Sequence, residues 1–167
     1  MSKLLMALSL AAIGFTAQAN AESSAKLYVI KSVNINAPAD KTWEKIAKFG
    51  DLGAWHPAVA KTEITAGTDG KKGAKRTLTL QDGGKINEKL TAYSAKNKTL
   101  SYIITDSVLP VSEYASNLSV HSNGADKSVV VWEGSFLPKA PADEKAASDT
   151  ITGVYDGGLA NLKKILE

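Results

Sequence analysis

Side chains suited to acid–base, nucleophilic or metal chemistry are scarce in this chain. It has two histidines, His56 and His121, and no cysteine among its 167 residues. Neither histidine has a further ligand-type residue at a metal-binding spacing, and no phosphate-binding, dinucleotide-binding or serine-hydrolase motif occurs. The sequence therefore predicts no metal site, no cofactor and no catalytic residue, and it excludes thiol chemistry and disulfide bonds.

Several polar residues instead interrupt apolar strand faces. Successive side chains of a strand point to opposite faces, so the apolar positions identify the buried face. This alternation places Arg76, Leu78 and Glu88 on the inward face of two neighbouring predicted strands. By the same parity, the inward set also includes Lys61, Tyr102, Ile104, Tyr114, Ser116 and Glu133.

Arg76 and Glu88 need partners or water if they face inward, because an unpaired buried charge costs several kcal/mol. The sequence alone leaves three interpretations of Glu88 open. It forms a structural ion pair with Arg76 or Lys61, it orients a ligand in a cavity, or it acts as a general acid or base.

The elements that would position these side chains follow from turn chemistry and periodicity. A strand rich in β-branched residues is predicted over 27–36. It is followed by a helix that starts at Pro38 and ends at Gly50, and by a short helical or turn element over 51–57. Further strands, separated by turn residues, are predicted over 61–66, 74–81, 85–93, 100–105, 114–121 and 128–136. Apolar residues at helical spacing then predict one long C-terminal helix. The pattern is typical of an α+β fold in which a curved, mostly antiparallel sheet of seven strands wraps the last helix and encloses a space.

The stretch Trp55-His56-Pro57 joins the second short helix to the next strand. Pro57 restricts His56 to non-helical geometry and so ends that helix. We expect Trp55 to cover the rim of the core or cavity with its large apolar face. For His56, a partly exposed position at the helix end is favoured over proton transfer, since no second histidine or metal spacing accompanies it.

Three glycines, Gly153, Gly157 and Gly158, lie in the middle of the predicted C-terminal helix. Each costs about 1 kcal/mol relative to alanine at such a position. Two explanations are open: close packing of the helix on the sheet, and room for a ligand or a mobile helix segment.

The order of several motifs resembles the START-like superfamily (SRPBCC, polyketide cyclase/dehydrase-like) along essentially all of residues 22–167. These motifs are W-H-P-A-V, G-A-K-R-T-L-T-L-Q-D-G-G-K-I-N-E-K-L, S-Y-I-I-T-D-S-V-L-P-V-S-E-Y-A-S, V-V-V-W-E-G-S-F and G-G-L-A-N-L. The resemblance implies a helix-grip fold with an apolar cavity between sheet and C-terminal helix. It also implies that Asn161 lines that cavity with the residues named above, and that Leu109, Pro110 and Val111 form a loop that gates it.

The N-terminus has the three parts of a secretory signal. Lys3 precedes an apolar run over 4–15, and small residues follow at a cleavage point after Ala21 or Ala19. The run is shorter than the roughly 20 residues that span a bilayer. We therefore expect residues 1–21 to be a cleaved signal peptide and residues 22–167 to form one START-like domain in the periplasm, with no membrane span after cleavage.

Basic residues are mostly scattered, and Arg76 is the only arginine. Nucleic-acid binding proteins use arginine clusters interleaved with aromatic residues, so nucleic acid is not an expected partner. The densest basic spot, Lys71 and Lys72 with Lys75, lies in a glycine-rich turn. It is either a solvated hairpin tip or a docking patch for an acidic protein.

Three functions are open, and the first is preferred. Within the superfamily, the exported chain is similar to the MxaD-like periplasmic proteins of methanol oxidation. That resemblance implies a non-enzymatic accessory protein that assists the interaction or electron transfer between the pyrroloquinoline-quinone methanol dehydrogenase and its cytochrome c. The second function is a carrier of a hydrophobic small molecule or lipid. The third is a cyclase- or hydratase-type enzyme that uses Glu88 with Tyr102 or Tyr114 as acid and base.

Overall fold

The computed structural model describes residues 25–167, and the predicted signal peptide over 1–21 lies outside that range. The described chain begins with strand β1 (Leu27–Ile35), helix α1 (Ala39–Ile46) and a short 3₁₀ helix (Phe49–Ala54). Six strands follow: β2 (Val59–Ala66), β3 (Lys75–Leu80), β4 (Lys85–Ser94), β5 (Thr99–Ser107), β6 (Val111–Ser122) and β7 (Ser128–Pro138). Helix α2 (Glu144–Leu166) ends the fold.

The strands form one antiparallel sheet in the order β1-β7-β6-β5-β4-β3-β2. Neighbours along the chain pair through short turns from β2 to β7, and β1 closes the order by pairing with β7. Helix α2 packs against β1 and β7. The predicted α+β helix-grip fold, with seven strands and two short helices after the first strand, is confirmed.

Helix α2 begins at a side-chain cap, since the Asp143 carboxylate accepts a hydrogen bond from the Ala146 amide at 2.8 Å. Such a cap stabilises a helix start by about 1 kcal/mol. The buried face of α2 then carries Ile151, Tyr155, Leu159 and Leu162, which follow one another at the three- and four-residue spacing of one helix face. This apolar stripe packs onto the inner face of the sheet and forms the core with it.

The two faces of β7 are the reverse of the prediction. Trp132 and Phe136 are buried, whereas Glu133 is exposed on the outer face. The segment is apolar at both parities from 129 to 132, so alternation alone does not choose a face. The two large aromatic side chains decide it, because they remove the most apolar surface from water when they point inward.

The inward prediction for Lys61 is also wrong. The register of β2 against β3 shifts between Val59 and Lys61, which marks a bulge at that point. A bulge inserts one residue and so reverses the parity that follows it. Val59 therefore faces the core while Lys61 faces solvent and pairs with Glu63 at 2.8 Å.

Among residues 25–167, no helix combines the length and the apolarity that a bilayer span requires.

Candidate functional site

A cavity of about 80 Å³ lies between the sheet and the first half of α2. Most of its wall is apolar and comes from Leu52, Ala58, Val59, Leu78, Leu80, Ile86, Ile104, Leu109, Trp132, Ile151 and Val154. Four residues add polar groups to it: His56, Glu88, Tyr102 and Tyr114. The cavity is therefore an apolar chamber with a few polar side chains in its wall, which is the usual composition of a small-molecule site.

Glu88 is held by Arg76 in a buried ion pair. Arg76 and Glu88 stand opposite each other on β3 and β4, and Arg76 Nε donates to Glu88 Oε2 at 2.5 Å. The guanidinium also donates to the Phe49 carbonyl and lies over the Phe49 ring, with 4.0 Å from Cζ to the ring centroid. The structural ion pair that the sequence offered as one interpretation is therefore present, with Arg76 rather than Lys61 as the partner.

Burial and pairing act in opposite directions on the Glu88 carboxyl. Removal from water raises its pKa, and the neighbouring guanidinium of Arg76 lowers it. The carboxylate lines the cavity, but its charge is balanced by a cation fixed behind it. Such a group can accept a hydrogen bond from a ligand, whereas a proton taken up during catalysis would weaken its bond to Arg76.

A chain of hydroxyl groups crosses the core beside the cavity. Ser116 Oγ donates to the Glu133 carbonyl at 2.7 Å, so it is an acceptor for Tyr155 Oη at 3.3 Å. Tyr155 donates its only hydroxyl proton to Ser116, so the Tyr114 hydroxyl donates to Tyr155 Oη at 2.6 Å. The direction of this chain follows from the backbone carbonyl at its end, which can only accept.

Trp132 joins the hydroxyl chain to Tyr102. Its indole Nε1 donates to Tyr102 Oη at 3.0 Å and to Ser116 Oγ at 3.1 Å. Burial raises the pKa of Tyr102 and raises that of Tyr114 further, so both phenols stay protonated near neutral pH. These tyrosines can orient a ligand through hydrogen bonds, but neither is poised to act as a base.

His56 is buried between the sheet and α2, with 3% of its surface exposed. Its Nδ1 accepts from the Ala58 amide at 3.2 Å, so Nε2 carries the proton and donates to the Val154 carbonyl at 2.9 Å. Burial lowers the pKa of this ring. The prediction of a partly exposed helix-end residue is therefore wrong, and both ring nitrogens are bound to backbone.

The close approach of His56 to α2 depends on a glycine. A Cβ atom on Gly158 would lie 2.6 Å from His56 Cδ2 and 2.8 Å from Trp132 Cζ3. Close packing therefore explains Gly158, whereas a Cβ on Gly153 or Gly157 would meet no atom within 4 Å. Sequence periodicity could not reveal this contact, because it joins residues about 100 positions apart.

Several predicted cavity residues do line the chamber. They are Leu78, Glu88, Tyr102, Ile104 and Tyr114, together with His56 and Leu109 from the predicted rim and gate. Arg76 lies behind Glu88, and Ser116 takes part in the hydroxyl chain. Whether any of these side chains binds a ligand stays a prediction.

Other predicted site residues lie elsewhere. Asn161 donates from Nδ2 to the Trp55 carbonyl at 2.8 Å and so ties α2 to the end of the 3₁₀ helix. Trp55 is 2% exposed and packs against Trp132, with ring centroids 5.6 Å apart, so it belongs to the core rather than to a rim. Val111 is buried as the first residue of β6, paired with Pro138, which leaves only Val108–Pro110 between β5 and β6.

The sequence prediction missed Trp132 and Tyr155, which organise the polar groups of the site. The two rings stack with centroids 4.6 Å apart, and the Tyr155 hydroxyl lies against the backbone of Gly134. A Cβ at Gly134 would collide with that hydroxyl. A glycine inside a strand can indicate that another side chain approaches the backbone there. Gly134, two residues after Trp132 on β7, was the sequence signal that could have indicated this contact.

Within residues 25–167, no group of three or more histidine, aspartate or glutamate side chains is placed to hold a metal ion. Each polar group of the cavity wall forms a hydrogen bond or ion pair inside the protein. The arrangement can enclose a small apolar molecule and orient a polar end of it. It presents no side chain that is activated as a nucleophile by an adjacent base.

Solved structures of similar fold come from several bacteria. Protein XoxI from Bacillus cereus is 28% identical over 83% of this chain and 94% of its own, with a TM-score of 0.77. An uncharacterized protein from Bacillus thuringiensis is 28% identical over 84% of this chain and 98% of its own, with a TM-score of 0.78. The ZhuI aromatase/cyclase from a Streptomyces species is 16% identical over 85% of this chain and 94% of its own; its TM-score of 0.70 shows a shared fold.

Among curated proteins, none matches this chain significantly. The family model described as "Polyketide cyclase / dehydrase and lipid transport" matches residues 28–167. That range includes both α-helices, the whole cavity wall and all seven strands, except for Leu27, the first residue of β1. The chain belongs to the polyketide cyclase / dehydrase and lipid transport family.

Proposed function

We propose that this protein binds a small, mainly apolar molecule in the cavity between the sheet and α2 and releases it chemically unchanged. The observation that carries the proposal is the cavity itself: an apolar wall to which α2 contributes Ile151 and Val154, with Glu88 and two tyrosines as its hydrogen-bonding groups. An apolar molecule that fills such a chamber gains free energy, because its atoms form van der Waals contacts with the apolar wall.

The cavity volume limits the size of the ligand. An engineered apolar cavity of about 150 Å³ accepts benzene, and pockets for drug-sized ligands measure about 300–1,000 Å³. At about 80 Å³, the chamber suits a molecule smaller than benzene. A longer lipid chain would need more room than this, and wall residues such as Leu109 and Val154 would have to move outward to provide it.

The state of the polar groups argues against an enzyme that uses Glu88 with Tyr102 or Tyr114. Glu88 is fixed to Arg76, and the side chains of both residues are at most 5% exposed. Both tyrosines have raised pKa values and bonded hydroxyls. A general base must be free to take a proton from a bound substrate, and these residues are committed to one another and to the core.

Xenon, a small apolar atom, is a suitable probe for this cavity. Under xenon pressure, NMR signals from Leu78, Ile86 and Ile104 should shift, and the shifts should saturate. Val154→Phe fills the chamber and should abolish them, whereas Val131→Phe on the outer face is the matched control and should preserve them. Shifts that persist in Val154→Phe, or that arise elsewhere in the protein, would refute the cavity as a binding site.

We also propose that the protein is exported to the periplasm and acts there as an accessory factor in methanol oxidation, between the methanol dehydrogenase and its cytochrome c. The support is the secretory pattern over 1–21 and the MxaD-like resemblance. Protein recovered from the periplasm should begin at Glu22 or Asn20. Deleting the gene should slow methanol-dependent cytochrome reduction in periplasmic extract and leave dye-linked dehydrogenase activity unchanged. Equal cytochrome reduction with and without the protein would contradict the role.

A further inference from the structure

Four lysines form one exposed surface at the β2–β3 hairpin and the adjoining part of β4. Lys71 and Lys72 lie in the turn between β2 and β3, while Lys75 and Lys89 face solvent on β3 and β4. We call these four residues the lysine patch. None of them forms an ion pair with a carboxylate in the part of the chain that the structure describes.

The strand register brings two of these charges directly together. Lys75 and Lys89 are cross-strand partners in the antiparallel pair of β3 and β4. Their other neighbours across the sheet are Ala66 on β2 and Ile103 on β5, neither of which is acidic. Like charges directly opposite each other destabilise a sheet, so the fold gains nothing from this pair.

The turn that carries Lys71 and Lys72 is held in place on two sides. The Gly73 amide donates to the Leu90 carbonyl and the Leu90 amide donates to the Ala74 carbonyl, both at 2.8 Å. On the other side, Asp69 accepts from the Gly50 amide at 3.2 Å. Asp69, the acidic residue nearest to Lys71 and Lys72 in sequence, thus accepts from a backbone amide, and Glu88, next to Lys89, pairs with Arg76 on the inner face. The backbone that carries the lysine patch is therefore anchored to the neighbouring strand and to the 3₁₀ helix, and the turn is not a free loop tip.

We propose that the lysine patch is a docking surface for an acidic protein. Charge complementarity identifies the occupant, because four cations that have no carboxylate partner among residues 25–167, carried on an anchored hairpin, favour a partner with clustered carboxylates. Nucleic acid fits less well, since the only arginine, Arg76, is buried under the sheet. A membrane surface also fits less well, because the exposed large apolar residues Tyr28, Ile30, Val108 and Ile165 lie outside the patch.

Polyglutamate serves as the probe for an acidic polypeptide surface. In a titration at low ionic strength, the wild-type protein should bind it with an affinity that falls steeply as salt is added. The variant with Lys71, Lys72, Lys75 and Lys89 all changed to glutamine should bind roughly tenfold more weakly and with a shallower salt dependence.

The matched control changes Lys96, Lys127, Lys139 and Lys164 to glutamine. These four lysines are also exposed and form no ion pair among residues 25–167, so the net charge changes by the same amount. The control variant should keep most of the wild-type affinity for polyglutamate. Equal losses in both variants would overturn the proposal, and so would tighter binding to an oligonucleotide or to anionic vesicles than to polyglutamate at the same salt concentration. Xenon binding should be the same in both variants, so a failure here is distinguishable from a failure of the cavity function.

Discussion

The buried pair of Arg76 and Glu88 is the residue-scale feature on which the site depends. Strand parity predicted that both side chains face inward, and both are buried at 4% exposure. The sequence could not choose between Arg76 and Lys61 as the partner of Glu88, because the bulge in β2 that turns Lys61 to solvent leaves no composition signal. A pairing across strands is decided by register, which only the folded sheet fixes.

Removing one partner of this pair should be costly. Arg76→Met leaves the Glu88 carboxylate buried without a counter-charge, and we expect a loss of about 3–5 kcal/mol in the free energy of unfolding. Adding Glu88→Leu to that variant should restore much of the loss, since an apolar pair of similar volume avoids desolvating a charge. Urea denaturation measures the unfolding free energies of the wild-type protein, Arg76→Met and the double variant. An Arg76→Met variant as stable as the wild-type protein would show that the ion pair has no structural role.

His56 should make the stability of the protein pH-dependent. Burial lowers its pKa below the ordinary value of 6.5, so the unfolded chain binds a proton at a higher pH than the folded protein does. The contribution of His56 is therefore fully present above pH 6.5 and is lost as the pH falls below that value. Charging would also turn Nδ1 into a donor facing the Ala58 amide, which is itself a donor.

Denaturation curves at several pH values measure this effect. The difference in unfolding free energy between the wild-type protein and His56→Gln should shrink as the pH is lowered from 7.5 toward 5. Glu88 is present in both proteins, and its raised pKa therefore affects both curves alike. A difference that stays constant over this range would show that His56 titrates equally in the folded and unfolded states.

At the scale of elements, helix α2 contains glycines with different roles. The sequence offered two explanations for all three glycines together, but the structure separates them. Gly158 allows His56 and Trp132 to approach the helix backbone, while Gly153 and Gly157 face open space. Their position beside the cavity wall at Val154 weakens the part of the helix that encloses the chamber.

Alanine substitutions should therefore act in opposite directions along one helix. Gly158→Ala forces atoms of His56 or Trp132 to move and should destabilise the protein by about 1–3 kcal/mol. Gly153→Ala meets no neighbouring atom and should stabilise it by about 0.5–1 kcal/mol through helix propensity. Thermal unfolding of the two variants measures the contrast. Shifts of the same sign would contradict the packing role of Gly158.

The alternation of polar and apolar residues predicted the buried face of some strands correctly and of β7 wrongly. For β3, β4 and β5 the alternation predicted the buried faces correctly, because polar and apolar residues alternate there with few exceptions. In β7 the residues from Val129 to Trp132 are apolar on both faces, and the prediction chose the wrong one. Such a strand is oriented by what it packs against, and here the stacking of Trp132 on Tyr155 of α2 decides.

For the whole molecule, element order and turn chemistry were sufficient to predict a seven-stranded sheet wrapped around the last helix, and the family resemblance implied the helix-grip fold. The size and closure of its cavity were not predictable, because they depend on contacts between distant segments such as His56 with Gly158 and Tyr114 with Tyr155. The molecule thus has two separate features of functional interest. One is a small apolar chamber on the inner face of the sheet, and the other is the lysine patch on its outer face.

Native mass spectrometry of the protein purified from the producing cells tests the binding function most directly. Wild-type protein and Val131→Phe should carry a small additional mass that organic solvent releases, and Val154→Phe, purified in parallel, should lack it. Depletion of this mass in Val154→Phe alone is the predicted result, because that side chain fills the chamber. No additional mass in any of the three proteins, or the same mass in all of them, would contradict a ligand-binding cavity between the sheet and α2.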